Sequence, residues 1–222
     1  MGMNGLKIRS FASAVEFYYY NKMLQIPLMI LCNYCKIPLS TAIEYLFFQK
    51  NYETISKVNK MFYSHPKSIL KGGHEFIKSK RWLNIYWPPG EYAMIKLFEL
   101  KKINQFYEES FSLLRDLSEN KIPIELLENA ISYNKFLLKK PQSFVDDNSL
   151  KLNYDLPNIV SKIKLNTVSR SCYSKIKIKL NRKCIEKYSY KEWAKKVIWY
   201  GHRSSAYFYG NKSIQKDIAG HH

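Results

Sequence analysis

The chain has 222 residues, long enough for one ample core or two small ones. Its apolar share of 46% and charged share of 24% are those of a globular protein and exclude disorder along the whole length. Thirty-six Lys and Arg against 18 Asp and Glu leave a net charge of +18, which favours anionic partners such as nucleic acid, an acidic protein or a membrane surface. The abundance of Tyr, Lys, Asn and Ile also fits an AT-rich coding sequence, so solubility and codon bias compete as the account of the charge.

The first 140 residues read as helices. From Lys7 to Tyr20 the residues Ile8, Phe11, Ala12 and Val15 recur at helical spacing. The apolar run Met23 to Cys35 contains Gln25, Pro27 and Asn33. It has no A-x-A-like cleavage site after it and is shorter than the roughly 18 apolar residues that cross a bilayer. The expectation is a cytoplasmic chain with no transmembrane segment. Ser40-Thr41 offers an N-cap for a helix carrying Ile43, Leu46 and Phe47. Helical patterns come next over 52–63 and 66–80, with Gly72-Gly73 inside the second as a break or a point of close backbone approach. The aromatic turn Trp82 to Glu91 contains Pro88-Pro89, which suits a helix N-terminus, and the pattern predicts one helix from about Glu91 towards Leu117. Another begins at Pro123, places Leu127, Ala130, Ile131 and Leu138 on one face, and stops at Lys139-Lys140-Pro141.

The polar stretch Gln142 to Ser149 reads as a linker. Beyond it the character changes. Residues 160–203 hold 13 Lys and Arg against Glu186 and Glu192 alone. Lys175-Ile176-Lys177-Ile178-Lys179-Leu180 alternates as a half-buried strand with a basic outer face. Ser189-Tyr190-Lys191-Glu192 is a capping box for a helix that turns Trp193, Val197 and Tyr200 to a core and ends at Gly201. The predicted fold is mainly α: a helical domain over residues 1–141 and a small, basic, aromatic-rich α+β lobe over residues 150–222.

No complete catalytic motif is present. Phosphate loops, dinucleotide fingerprints, a nucleophile elbow and H-E-x-x-H are all missing. Cys32-x2-Cys35 is half of a metal site, but Cys172 and Cys184 are too far apart to complete it; on one helix face the two thiols read as small apolar groups. The acid pairs Glu108-Glu109 and Asp146-Asp147 read as solvated. In the basic lobe, cations interleave with Tyr173, Tyr188, Tyr190, Trp193, Trp199, Tyr200, Tyr207, Phe208 and Tyr209. That mixture suits single-stranded nucleic acid, with phosphates on Lys175, Lys177, Lys179, Arg182 and Lys183. A small aromatic core under a solvated basic face is the alternative.

Three stretches together resemble a known family. The first runs Lys71-Gly72-Gly73-His74-Glu75-Phe76, then Trp82 through Tyr92. The second is Leu126 to Lys135. The third is Glu192 to Arg203, continued by Ala206 to Gly210 and Ala219-Gly220-His221. In this order they resemble the region after the barrel in cobalamin-dependent radical SAM proteins, over roughly residues 65–220. The family uses a [4Fe–4S] cluster held by C-x3-C-x2-C, S-adenosylmethionine and cobalamin. Neither that cysteine motif nor a cobalamin-binding motif occurs here, so no catalytic residue carries over and this chain alone is expected to bind none of these cofactors. The resemblance implies a helical part that supports the substrate pocket of a methyl transfer, with a partner chain carrying the radical SAM barrel. It makes Trp82, Trp87, Glu91, Trp193, Trp199, Tyr200, Arg203 and Tyr207 candidate pocket or packing residues. A basic nucleic-acid-binding protein and a non-catalytic interaction subunit are the competing readings.

Overall fold

The structure is a computed structural model that describes residues 3–141, 148–165, 173–180, 188–199, 208 and 214–218. It is mainly helical, with a small sheet portion near the C-terminus. Helix α1 (Met3–Val15) runs into a π-helical turn, Glu16–Tyr20. The buried stripe is Ser10, Ala14, Phe17 and Tyr18, while Ile8 is 69% exposed. Of the expected residues Phe11 and Val15 pack against the core, whereas Ile8 and Ala12 face outwards. The core is set by the aromatic residues of the π turn, where Phe17 meets Phe62 and Phe106 edge-on at 5.6 Å each.

Helix α2 (Gln25–Cys35) and helix α3 (Leu39–Phe47) bury Leu28, Ile30, Leu31, Ile43 and Leu46. Among the described residues no single helix is long and apolar enough to cross a membrane. Helix α3 starts at Leu39 with Pro38 as its N-cap, so Ser40 and Thr41 lie in its first turn rather than capping it. The proline's extended ψ of 146° already sets the entry of the chain.

One helix, α4 (Glu53–Leu70), replaces the two expected over 52–80; buried Pro66 sits inside it without ending it. It ends where Gly72 takes φ +87° and the amides of Gly72 and Gly73 donate to the carbonyls of Ile69 and Ser68, a glycine-terminated last turn. A side chain at Gly73 would stand 2.8 Å from the Ser68 carbonyl oxygen, so close backbone approach is the second reason for glycine there.

A short hairpin comes next, β1 (Ile77–Ser79) and β2 (Ile85–Trp87), antiparallel with Lys78 opposite Tyr86. The long helix expected to Leu117 is two: α5 (Pro89–Glu99) and α6 (Ile103–Ser118), broken where Lys101 takes φ +55°. Helix α7 (Ile124–Leu137) begins after Pro123 and buries Leu127, Ala130 and Ile131, with Leu138 buried just beyond it.

Strand β3 (Ser149–Tyr154) starts at Ser149, which the sequence places in a linker; residues 142–147 lie outside the described residues. Helix α8 (Leu156–Lys164) is capped by Asp155, which accepts from the Asn158 amide. Strand β4 (Tyr173–Leu180) lies between β3 and β5 (Ile214–Ile218), antiparallel to both. Helix α9 (Tyr190–Trp193) opens with both halves of the Ser189–Glu192 capping box and passes into a second π-helical turn, Ala194–Trp199. Trp193 and Val197 are buried as expected, and one contiguous core takes residues from both the helical part and the lobe.

Candidate functional site

The β1–β2 connection, Lys80 to Asn84, and the start of α9 form the two walls of a cleft of about 430 Å³. It is lined by Lys80, Arg81, Trp82, Leu83, Asn84, Tyr190, Lys191 and Ala194. Leu83 and Asn84 both take positive φ, 58° and 52°. A branched residue such as Leu adopts that conformation only when its surroundings impose it.

Trp82 forms the floor. Its backbone amide donates to Ser79 Oγ at 3.2 Å, and its carbonyl accepts from the Trp87 indole at 3.2 Å. Tyr92 packs against its ring at 5.0 Å, and Lys96 Nζ stands 5.6 Å from the ring centre. The Trp82 indole N–H is buried with no acceptor among the described residues. On the opposite wall, the Tyr190 hydroxyl donates to the Ile95 carbonyl at 2.8 Å. Burial pushes that phenol's pKa up, and the nearby Glu99 carboxylate adds to the effect. Glu99 is paired with Arg81 at 2.8 Å and Lys96 at 2.9 Å. The cleft thus presents Lys80, Arg81 and Lys191, with the Glu99 carboxylate already held by two cations.

An aromatic frame ties this cleft to the core. Trp193 is fully buried, packs edge-on to Phe98 at 4.9 Å and donates from its indole to the Lys139 carbonyl at 2.9 Å. Trp87 and Trp199 meet edge-on at 5.4 Å. Glu91 is 2% exposed in the first turn of α5, where the free amides of a helix start favour a carboxylate. The neighbouring Gly90 lies so close to the π turn that a Cβ there would stand 2.8 Å from Asn21 Nδ2.

Asn134, in the second of the family-like stretches, braces the chain between the π turn and α2. Its amide nitrogen donates to the carbonyls of Lys22 and Met23 at 3.0 and 2.9 Å, and its oxygen accepts from the Ile26 amide at 3.1 Å. Composition offers no signal for this role, because an asparagine in a helix face reads as surface. Glu109, one of an acid pair that reads as solvated, is likewise structural. Its carboxylate accepts from the amides of Thr54 and Ile55 at 2.9–3.0 Å and caps α4 from outside.

Of the residues singled out by sequence, Trp82, Trp87, Glu91, Trp193 and Trp199 fall in this frame. Only Trp82 lines the cleft; the other four are packing residues around it. Tyr200, Arg203, Tyr207, Arg182 and Lys183 lie outside the described residues. Lys175, Lys177 and Lys179 are on β4, away from the cleft lining. Sequence reasoning missed Lys80, Arg81, Tyr190 and Lys191 as cleft residues. The run of cations at Lys78, Lys80 and Arg81 is visible in the sequence, but the approach of α9 to it is not.

Cys32 and Cys35 are half-buried free thiols on α2. Burial pushes the Cys32 thiol up to about 11 and raises Cys35 as well, opposite to what a thiolate ligand needs. No group of three His, Cys, Asp or Glu side chains that could hold a metal ion is found among the described residues. The described residues therefore bring together no set of thiolates for an iron–sulfur cluster, which takes several; Cys172 and Cys184 lie outside them. No known protein-family model matches the chain, and no curated protein matches its sequence.

Proposed function

We propose that this chain supplies the helical region that comes after the barrel in a cobalamin-dependent radical SAM enzyme, and that it works in the cytosol. In this reading the cluster, S-adenosylmethionine and cobalamin are held by residues outside this sequence, on a partner chain that carries the barrel. The chain's own part is to close and shape the substrate pocket of a methyl transfer. No step of that reaction is assigned to its side chains.

One observation carries the reading. The three separated stretches that resemble the family converge on one another. Trp87 of the first packs on Trp199 of the third. Phe208 of the third pairs with Leu138, just past the end of the second. Lys22, whose carbonyl is held by Asn134 of the second, stands with its Nζ 5.4 Å from the Phe208 ring. A region that shapes a single pocket needs its parts to meet in this way, and the shared core brings them together. The cleft beside Trp82 is the part of this unit that could face a substrate.

The test is co-expression with the product of a neighbouring reading frame that bears C-x3-C-x2-C. A stable complex is expected, with cluster and cobalamin absorbance on the partner and reductive cleavage of S-adenosylmethionine that depends on this chain. Two results would overturn the reading: a partner that is fully active without binding this chain, or a [4Fe–4S] cluster assembled on this chain alone with iron and sulfide.

A further inference from the structure

The outer face of the β3–β4–β5 sheet is a second feature, remote from the cleft lining. In β4, Ile176, Ile178 and Leu180 are buried, while Lys175, Lys177 and Lys179 alternate with them on the other face. Strands rise about 3.3 Å per residue, so this row spans about 13 Å. Across the ladder Lys151 of β3 is directly opposite Lys177, and Ser149 is opposite Lys179. On the other side Asp217 stands at the register position of Lys177 and Gln215 at that of Lys179. No ion pair holds Lys151, Lys175 or Lys177 among the described residues.

Like charges directly opposite in an antiparallel pair are destabilising. Asp217 offsets Lys177 from the β5 side, but Lys151 has only Lys177 opposite it, so theirs is an unfavourable contact that a bridging anion would remove. A regular row of cations suits a regularly spaced polyanion. One nucleic-acid strand carries a phosphate at each step of about 3.4 Å along a duplex, so lysines set about 6.6 Å apart stand at the period of every second step. A membrane surface engages apolar side chains as well as cations. Here the one large exposed apolar residue of β4, Tyr173, stands at the start of the strand, before the lysines, and packs edge-on to Tyr154 at 5.7 Å beside a register shift. Among the described residues no aromatic ring stands between the lysines of the row to stack with bases.

We propose that this face binds the sugar–phosphate backbone of nucleic acid, through phosphates alone and without sequence preference. The inference does not rest on the family resemblance. The test is fluorescence anisotropy with a labelled oligo(dT) and a labelled mixed-sequence duplex over a salt series. The triple variant Lys151→Gln, Lys175→Gln, Lys177→Gln is compared with Lys50→Gln, Lys60→Gln, Lys71→Gln, which removes the same charge from exposed positions elsewhere. The sheet triple is expected to lose roughly tenfold or more in affinity, and about 2 in the slope of log K against log salt, with the control triple close to the parent. Circular dichroism should show both triples folded. Equal losses in the two triples would reduce the effect to net charge and overturn the proposal. So would binding to phosphatidylserine vesicles with no binding to either oligonucleotide.

Discussion

The helical part and the C-terminal lobe keep their backbones satisfied in different ways. In the helical part, side chains reach across long sequence separations to hold main-chain groups. Asn134 fastens Lys22, Met23 and Ile26, Glu109 caps α4, and Asn59 joins Tyr18 to the Leu46 carbonyl. In the lobe, the sheet ladder carries the main-chain pairing, joined by Asn129 of α7, which accepts from the Asn153 amide, and one face is left to carry charge. The first arrangement costs freedom at every joint and makes a rigid body. The second leaves a surface free for a partner and depends on a few aromatic anchors for its attachment.

The sharpest way to break this comparison is to remove an anchor. Trp193→Ala empties a fully buried site and removes the indole bond to Lys139, and should cost about 4 kcal/mol. Hydrogen exchange should then accelerate in β4 and α9 while α4 and α6 stay protected. If protection falls evenly along the chain, the two regions are one cooperative unit and the contrast fails.

Asn134→Ala should cost about 3 kcal/mol, because it leaves buried main-chain groups of residues 22, 23 and 26 without partners. Urea unfolding monitored by circular dichroism measures it. Glu109→Ala, which uncaps α4, should cost about 1–2 kcal/mol by the same measurement. The lobe responds with the opposite sign. Lys151→Gln relieves the contact with Lys177, leaves the Lys177–Asp217 register pair in place, and should stabilise by a few tenths of a kcal/mol, roughly 0.3, in low salt and less in high salt.

The smallest effect is chemical. Cys32 is held protonated by burial, with its pKa pushed up to about 11. Folding therefore favours the thiol, and this contribution to stability is present at neutral pH and lost as pH rises through the alkaline range towards 11. Iodoacetamide should alkylate Cys32 at neutral pH far more slowly in the folded chain than in urea. Mass spectrometry of the alkylated peptide reads the rate. Equal rates would show that α2 does not shield the thiol.

Much of the fold was legible because it rests on local chemistry. The capping box at Ser189, the alternation in β4 and the helix after Pro123 are written in adjacent residues. The hidden features depend on distant neighbours. Nothing near Glu109 in sequence says that it caps α4, and nothing near Lys101 says that its backbone turns left-handed and splits one expected helix into α5 and α6. Strand β3 carries the same alternation as β4, in Leu150, Leu152 and Tyr154, but its start reads as linker because the residues before it are polar. For the cleft, the resemblance points to Trp82, whereas Lys191 and Tyr190 belong to it only because α9 folds back over the hairpin loop.

The π-helical turn at Glu16–Tyr20 has a consequence for protein engineering and for sequence comparison. Such a turn is an α-helix carrying one surplus residue. The turn absorbs that residue locally, so α1 keeps its facing and Ser10 and Ala14 stay towards the core. Deleting one residue there would restore regular winding with little rotation of α1, whereas the same deletion at Ser13, inside the regular helix, would turn everything before it by about 100° and carry Ser10 out of the core. A one-residue gap at this turn in a relative therefore marks a lost bulge with the helix face kept, and an equal gap a few residues earlier marks a re-aimed helix.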